Sequence, residues 1–226
     1  MYSRFQLAYK YFLHYLSSKS KKGYGIHSPF VYDFATKVVN DTRQFYCYTT
    51  IEQIRDHLKH NNNLIDVEDF GAGSAGKKFT QRRVAAIAGS SLERKEIARL
   101  LFRMVNYYQP ETILELGTSL GITAAYLASA SPERNVITLE GAGEIANIAQ
   151  QNFDELRLKN IQVIRGNFDD TLSTVLNKFS AVDFAFIDGN HRREPTIAYF
   201  EKLRAHAGSQ SVFIFDDIHW SAGMEE

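Results

Sequence analysis

The sequence predicts an α/β domain, a doubly wound parallel sheet behind a helical N-terminal extension, and three observations carry that reading. From residue 112 onward, five short β-rich runs alternate with segments of helical period. Those intervening segments are long enough to return the chain by right-handed crossovers, which makes the strands parallel and covers both faces of the sheet. At 226 residues, 44% hydrophobic and 23% charged, the chain has the size and balance of one such domain plus a small extension.

Taken in order, Tyr2, Phe5, Tyr9, Phe12 and Leu16 recur at three- and four-residue steps and predict one apolar face of a helix packed on a core. The same stripe would also suit a membrane surface or a homodimer contact. GYGIHSP then breaks the helix, and Ser28 as N-cap with Pro29 at the first helical position opens a second helix over 29–39. The chain up to about residue 63 reads as helical. LIDVEDF (64–70) reads as a short strand, and the glycine-rich 71–78 with FTQRRVAAIAGSS after it reads as a flexible loop over a cleft, a helix in the latter being the alternative. Ser90 followed by Glu93 matches a capping box, opening a helix over 92–108 that Pro110 stops. Residues 1–89 thus form an N-terminal region, and 90–226 the sheet domain. Its strands are expected at 112–116, 136–140, 161–165, 182–188 and 211–217, and its helices at 122–130, 144–158, 171–179 and 195–207.

Lys plus Arg equals Asp plus Glu at 26 each, so no overall field draws in nucleic acid or an anionic membrane, and neither partner is expected. Lys19, Lys21 and Lys22, among serines and a glycine, read as a solvated linker. A single cysteine, Cys47, excludes an intrachain disulfide and a cysteine-built zinc site and fits a reducing compartment. The first 15 residues carry Arg4, Lys10 and His14 and lack an uninterrupted apolar run, so neither a signal peptide nor a spanning helix is read there. A cytoplasmic location is the expectation.

In sheets of this kind, ligands bind beyond the carboxyl ends of the strands. The first such end is ELGTSLG, where Gly117 and Gly121 permit a tight turn while Thr118 and Ser119 bring hydroxyls and backbone N–H groups to a helix start. A dinucleotide fingerprint would need glycine where Ser119 stands, to let the backbone approach a pyrophosphate. S-adenosylmethionine has no pyrophosphate, and Glu115 can hold its ammonium group by a charge-assisted hydrogen bond. Glu140, with Gly141 beside it, ends the second strand where a carboxylate accepts ribose hydroxyls. After the third strand, Gly166, Asn167 and Phe168 stand where an amide and a backbone N–H read an adenine edge. Each of these features alone is as readily structural.

Together, ELGTSLG, TLE, RGNF, FIDGNH and FDD resemble the class I methyltransferases, and more narrowly the macrocin-type and catechol- or caffeoyl-type O-methyltransferases, over roughly 90–226. The resemblance implies a Rossmann-like sheet in strand order 3-2-1-4-5, with Asp188 reaching both cofactor and catalysis. It also implies a divalent cation, Mg2+, on Asp188, Asp216 and Asp217. Three carboxylates at adjacent strand ends repel one another unless protons or a hard cation neutralise them. The alternative is that Asp188 and Asp217 cap local structure with no metal. The macrocin-type relatives carry a histidine three residues after the first acid, which here is His191, and a histidine titrates near neutrality. The expectation is metal-assisted methylation of a small hydroxylated molecule with His191 as general base, the alternative being a surface histidine in a loop; His219 and Trp220 face substrate, or Trp220 covers a core edge.

Class I sheets normally continue with a helix and two further strands, one antiparallel, whereas this sequence stops at SAGMEE. The expectation is a domain that is C-terminally truncated or completed by another chain. Two rivals remain at this point. One is a non-catalytic S-adenosylmethionine-binding scaffold, against which the three acids argue. The other is a nucleotide hydrolase built on 71–78, which nearly fits a phosphate loop but has Lys78 where a magnesium-ligating Ser or Thr belongs.

Overall fold

The computed structural model describes residues 27–69 and 78–226. The aromatic stripe at 2–16, the lysines at 19–22 and the glycine-rich stretch at 71–77 lie outside the described residues. Ser28 caps the first helix, α1 (Pro29–Asp33), its hydroxyl accepting the Val31 N–H, and the turns continue with π-helical spacing over Phe34–Val39. In α2 (Tyr48–His60), Tyr48, Ile51, Ile54 and Leu58 form one buried face, and His57, Lys59 and His60 meet the negative end of the helix dipole. The predicted strand at 64–70 is β1 (Leu64–Asp69). Its partner, β2 (Lys78–Arg83), is antiparallel with Leu64 opposite Arg83, so this stretch is a strand rather than a loop, and α3 (Val84–Ser91) follows it directly.

The capping box is corrected. Ser90 belongs to the last turn of α3, where its hydroxyl donates to the Ala86 carbonyl. The next helix, α4 (Lys95–Tyr108), starts after Arg94, and Glu93 turns one carboxylate oxygen back onto the Arg94 N–H at 2.6 Å. A side chain already bonded to the preceding turn cannot cap the helix that follows. Ala98, Leu101, Phe102 and Val105 bury one side of α4, which ends at Gln109 in the left-handed region, just before Pro110.

Then comes the alternation: β3 (Ile113–Leu116), α5 (Ile122–Ala130), β4 (Val136–Glu140), α6 (Gly143–Glu155), β5 (Ile161–Arg165), α7 (Phe168–Leu176), β6 (Val182–Ile187), α8 (Arg193–Arg204) and β7 (Ala207–Phe215). A short α9 (Ala222–Glu225) closes the described chain. The strands form one parallel sheet in the order β5-β4-β3-β6-β7, the expected 3-2-1-4-5. β7 starts four residues before the predicted 211. Val182 pairs with Ala207 but Phe184 with Val212, so the extra length is taken up in a register shift. There the Ser211 hydroxyl donates to the Val182 carbonyl and accepts from the Gly208 N–H.

Alternation along the strands builds two cores. Ile113, Val136, Phe184 and Phe186 face α2, α4, α5 and α6, while Leu114, Leu116, Leu139 and Ile187 face α7 and α8. The first core runs without a break into the N-terminal helices: Tyr48, Phe102 and Tyr126 meet edge to face. All nine residues of α5 are buried, which matches its lack of a polar face. No helix among the described residues is long and apolar enough to cross a membrane.

Candidate active site at the strand ends

Register brings the site together. Leu116 pairs with Leu139 on one side and Ile187 on the other, and Ile187 pairs with Phe215, so the residues just beyond converge at one edge: Gly117, Glu140, Asp188 and Asp216. Gly117 has φ +103, and a β-carbon there would lie 2.0 Å from the Asp188 carbonyl oxygen; only glycine fits. Gly121, at φ +84, lies against the Phe153 ring, which a β-carbon there would approach to 2.7 Å. Between them, Ser119 adopts φ +47.

Glu115 is fully buried on β3. One of its carboxylate oxygens accepts the Thr138 hydroxyl at 2.5 Å, Thr138 in turn meets the Thr118 hydroxyl at 2.6 Å, and the other oxygen has no partner. Burial holds its pKa well above the ordinary carboxylate range against the Thr138 bond, and Asp188 and Glu140 push the same way. Glu140 accepts the Ser119 N–H on one oxygen and the Ala142 N–H on the other, both at 2.9 Å. Burial raises its pKa, and the N–H groups of Ala142, Ser119 and Gly141 oppose the rise. The Gly117 and Thr118 N–H groups both donate to the Leu139 carbonyl, and that of Gly121 to the Thr118 carbonyl. The Thr118 side chain therefore points inward, and at Ser119 the loop presents the Glu140 carboxylate in place of a free N–H. Asn167 is the N-cap of α7, its side chain accepting the Asp169 N–H, and Phe168 opens that helix with its ring against Gly189.

On the other side of Gly117 the acids gather. One oxygen each from Glu93, Asp188 and Asp216 lies within 4.8 Å of the others. Burial pushes Asp188 up to about 8, with Asp216, Glu93 and Asp217 adding to the rise, and burial with a hydrogen bond to Asp216 pushes Glu93 up to about 7. Asp217, at φ +52, stands beside this group, its pKa raised by burial and by Asp216. His191 lies between two acids, Nε2 at 3.6 Å from Asp188 and Nδ1 at 3.9 Å from Asp217. The Trp220 ring is 6.4 Å from that of His191 and partly exposed, whereas His219 turns to Glu225 at 2.9 Å.

Sequence reasoning placed Glu93 in a helix cap and missed it as a member of this cluster. An acid at the start of the helix that precedes the first sheet strand is the signal that was there to find. Arg55 of α2 anchors it, donating to the Glu93 carbonyl at 2.6 Å and to Glu52 at 3.1 Å.

The fold is the Rossmann-like one of the class I methyltransferases. Residues 114–218 match the family model described as a methyltransferase domain. A catechol O-methyltransferase of Niastella koreensis is 29% identical over 170 residues, 74% of each chain. A tRNA (guanine-N(7)-)-methyltransferase of Mycoplasma mobile is 32% identical over 45% of this chain, and the chain spans only 54% of that protein's length. Among solved structures, the O-methyltransferase from Bacillus cereus in complex with SAH superposes with a TM-score of 0.58 at 22% identity, covering 79% of this chain and 69% of that one. The resemblance read from the strand-end motifs, catechol-type relatives included, is borne out.

Proposed function

We propose that this chain transfers a methyl group from S-adenosylmethionine to a hydroxyl oxygen of a small molecule. The observation that carries the reading is Glu115: a fully buried carboxylate with one unpartnered oxygen, at a strand end where a cationic ligand is the natural partner. Glu140, whose oxygens keep lone pairs beyond the two backbone bonds, suits the ribose hydroxyls, and 166–168 suit the adenine. Glu93, Asp188 and Asp216, with Asp217 beside them, form the oxygen donor set a hard divalent cation such as Mg2+ takes. When bound, such a cation supplies Lewis-acid polarisation of the acceptor oxygen. His191, held between Asp188 and Asp217, takes the hydroxyl proton, and Trp220 borders the acceptor. The catechol O-methyltransferase relative, aligned over 74% of each chain, supports a small hydroxylated acceptor.

Calorimetric titration with S-adenosylmethionine, with and without Mg2+ and with ATP as competitor, tests this. The expected result is binding of S-adenosylmethionine that ATP does not displace. Binding of ATP alone would move the site to the glycine-rich stretch at 71–78 and overturn the proposal.

A further inference from the structure

The loop that carries Asp188 and His191 is tied to the start of α7 by a chain of hydrogen bonds outside the reacting groups. Arg192 Nε donates to Asn190 Oδ1 at 2.7 Å, Asn190 Nδ2 donates to the Tyr199 hydroxyl at 2.8 Å, and that hydroxyl donates to Asp169 Oδ1 at 2.8 Å. Guanidinium only donates and carboxylate only accepts, so the two ends fix the orientation of both groups between them. Asn190 sits at φ +68 in the left-handed region, a conformation the tie to Tyr199 helps to hold. Tyr199 is 1% exposed, packed edge to face on Phe168 at 6.0 Å, and Phe168 in turn presses on Gly189. Asp169 and Phe168 directly follow Asn167, while Asn190 directly precedes His191.

We propose that Tyr199 is a positioning residue that couples occupancy of the adenine end of the cleft to the placement of His191, through Asp169 on one side and Asn190 on the other. This rests on the reading of 166–168 as the adenine end. A ligand that orders Asn167 and Phe168 fixes Asp169, and the hydroxyl of Tyr199 transmits that order to Asn190 and the turn at His191. By linkage, the effect is reciprocal: a fixed His191 turn favours the adenine. Such a link gives the cleft a reason to carry a buried tyrosine where phenylalanine would fill the same core volume.

The test uses adenosine, which carries the adenine and ribose without the amino-acid arm and so does not reach His191 directly. The imidazole Cε1–H resonance of His191, assigned with His191→Gln, is followed by NMR as adenosine is added to the whole chain. In the wild type the resonance is expected to move; in Tyr199→Phe it is expected to stay, with adenosine binding weakened about fivefold, the lower end of common coupling factors. Asp169 is exposed, so Asp169→Ala cuts the same chain without touching the core and is expected to behave alike. A His191 resonance that moves equally in both variants, or not at all in the wild type, overturns the proposal. S-adenosylhomocysteine titrated into the same samples separates the cases: its failure to bind the wild type removes the methyltransferase reading as well.

Discussion

Gly117 and Asp188 touch main chain to main chain: a β-carbon on Gly117 would stand 2.0 Å from the Asp188 carbonyl oxygen, and Asp188 itself donates its N–H to the Leu116 carbonyl at 2.8 Å. The turn after β3 and the strand end that begins the acid cluster are therefore packed as one unit. Gly117→Ala combines this overlap with an unfavourable φ of +103. It is expected to cost about 1–3 kcal/mol in urea denaturation and to abolish S-adenosylmethionine binding. A wild-type midpoint with intact binding contradicts the close approach.

Glu115→Gln keeps the shape of the side chain and an acceptor for Thr138 while removing the charge. Because burial disfavours the ionised form of Glu115 in the free protein, the fold tolerates the amide. Loss of one charge-assisted bond, about 1.5–3 kcal/mol, should weaken S-adenosylmethionine by roughly ten- to a hundredfold. Adenosine, which lacks the ammonium group, should bind both proteins alike; calorimetry with the two ligands reads the difference.

The acid cluster makes stability depend on pH in a defined sense. Asp188 is raised from 3.8 to about 8 and Glu93 from 4.5 to about 7, so across that window the native state binds more protons than the unfolded chain. Stability therefore falls as pH rises from about 4 to about 8. In the presence of a chelator, Asp188→Asn should melt higher than the wild type at pH 8, by about 2–4 °C for each kcal/mol relieved, and the gap should close towards pH 4. Equal melting temperatures at pH 8 would sink this account.

Arg55→Met retains the buried stem and deletes the bonds to Glu52 and to the Glu93 carbonyl. Glu52 keeps the Tyr126 hydroxyl at 2.8 Å, and Arg55 Nη2 has no partner to lose. The expected destabilisation is therefore modest, about 1–3 kcal/mol. Faster amide exchange around Glu93 should accompany it, and unchanged exchange there would show that Arg55 does not anchor the loop.

The sheet was legible in the sequence because each strand from Ile113 onward is a short apolar run closed by a polar or glycine turn, and the segments between them, α5 apart, keep a helical period. The strand-end residues were legible for the same reason: parallel register puts Glu115, Glu140, Asp188 and Asp216 at one edge once the strand order is known. What escaped were features decided by distant partners. Lys78–Arg83 has no strand pattern of its own and becomes one by pairing with Leu64–Asp69. Ser90 and Glu93 satisfy a local capping rule, but the helix break at Leu92 separates them, and Glu93 meets Asp188 only through the folded chain. The early start of β7 depends on a bulge opposite Val182 whose local sign is Gly208 alone.

The turn after β3 has a consequence for the ligands it turns away. Its N–H groups at Gly117, Thr118, Ser119 and Gly121 are all bonded within the protein, two to Leu139, one to Glu140 and one to Thr118. A phosphate approaching Ser119 meets the carboxylate of Glu140 in place of a free N–H. A preference for an unphosphorylated ligand would therefore rest on one side chain, Glu140, which both occupies the Ser119 N–H and supplies the negative charge a phosphate would meet.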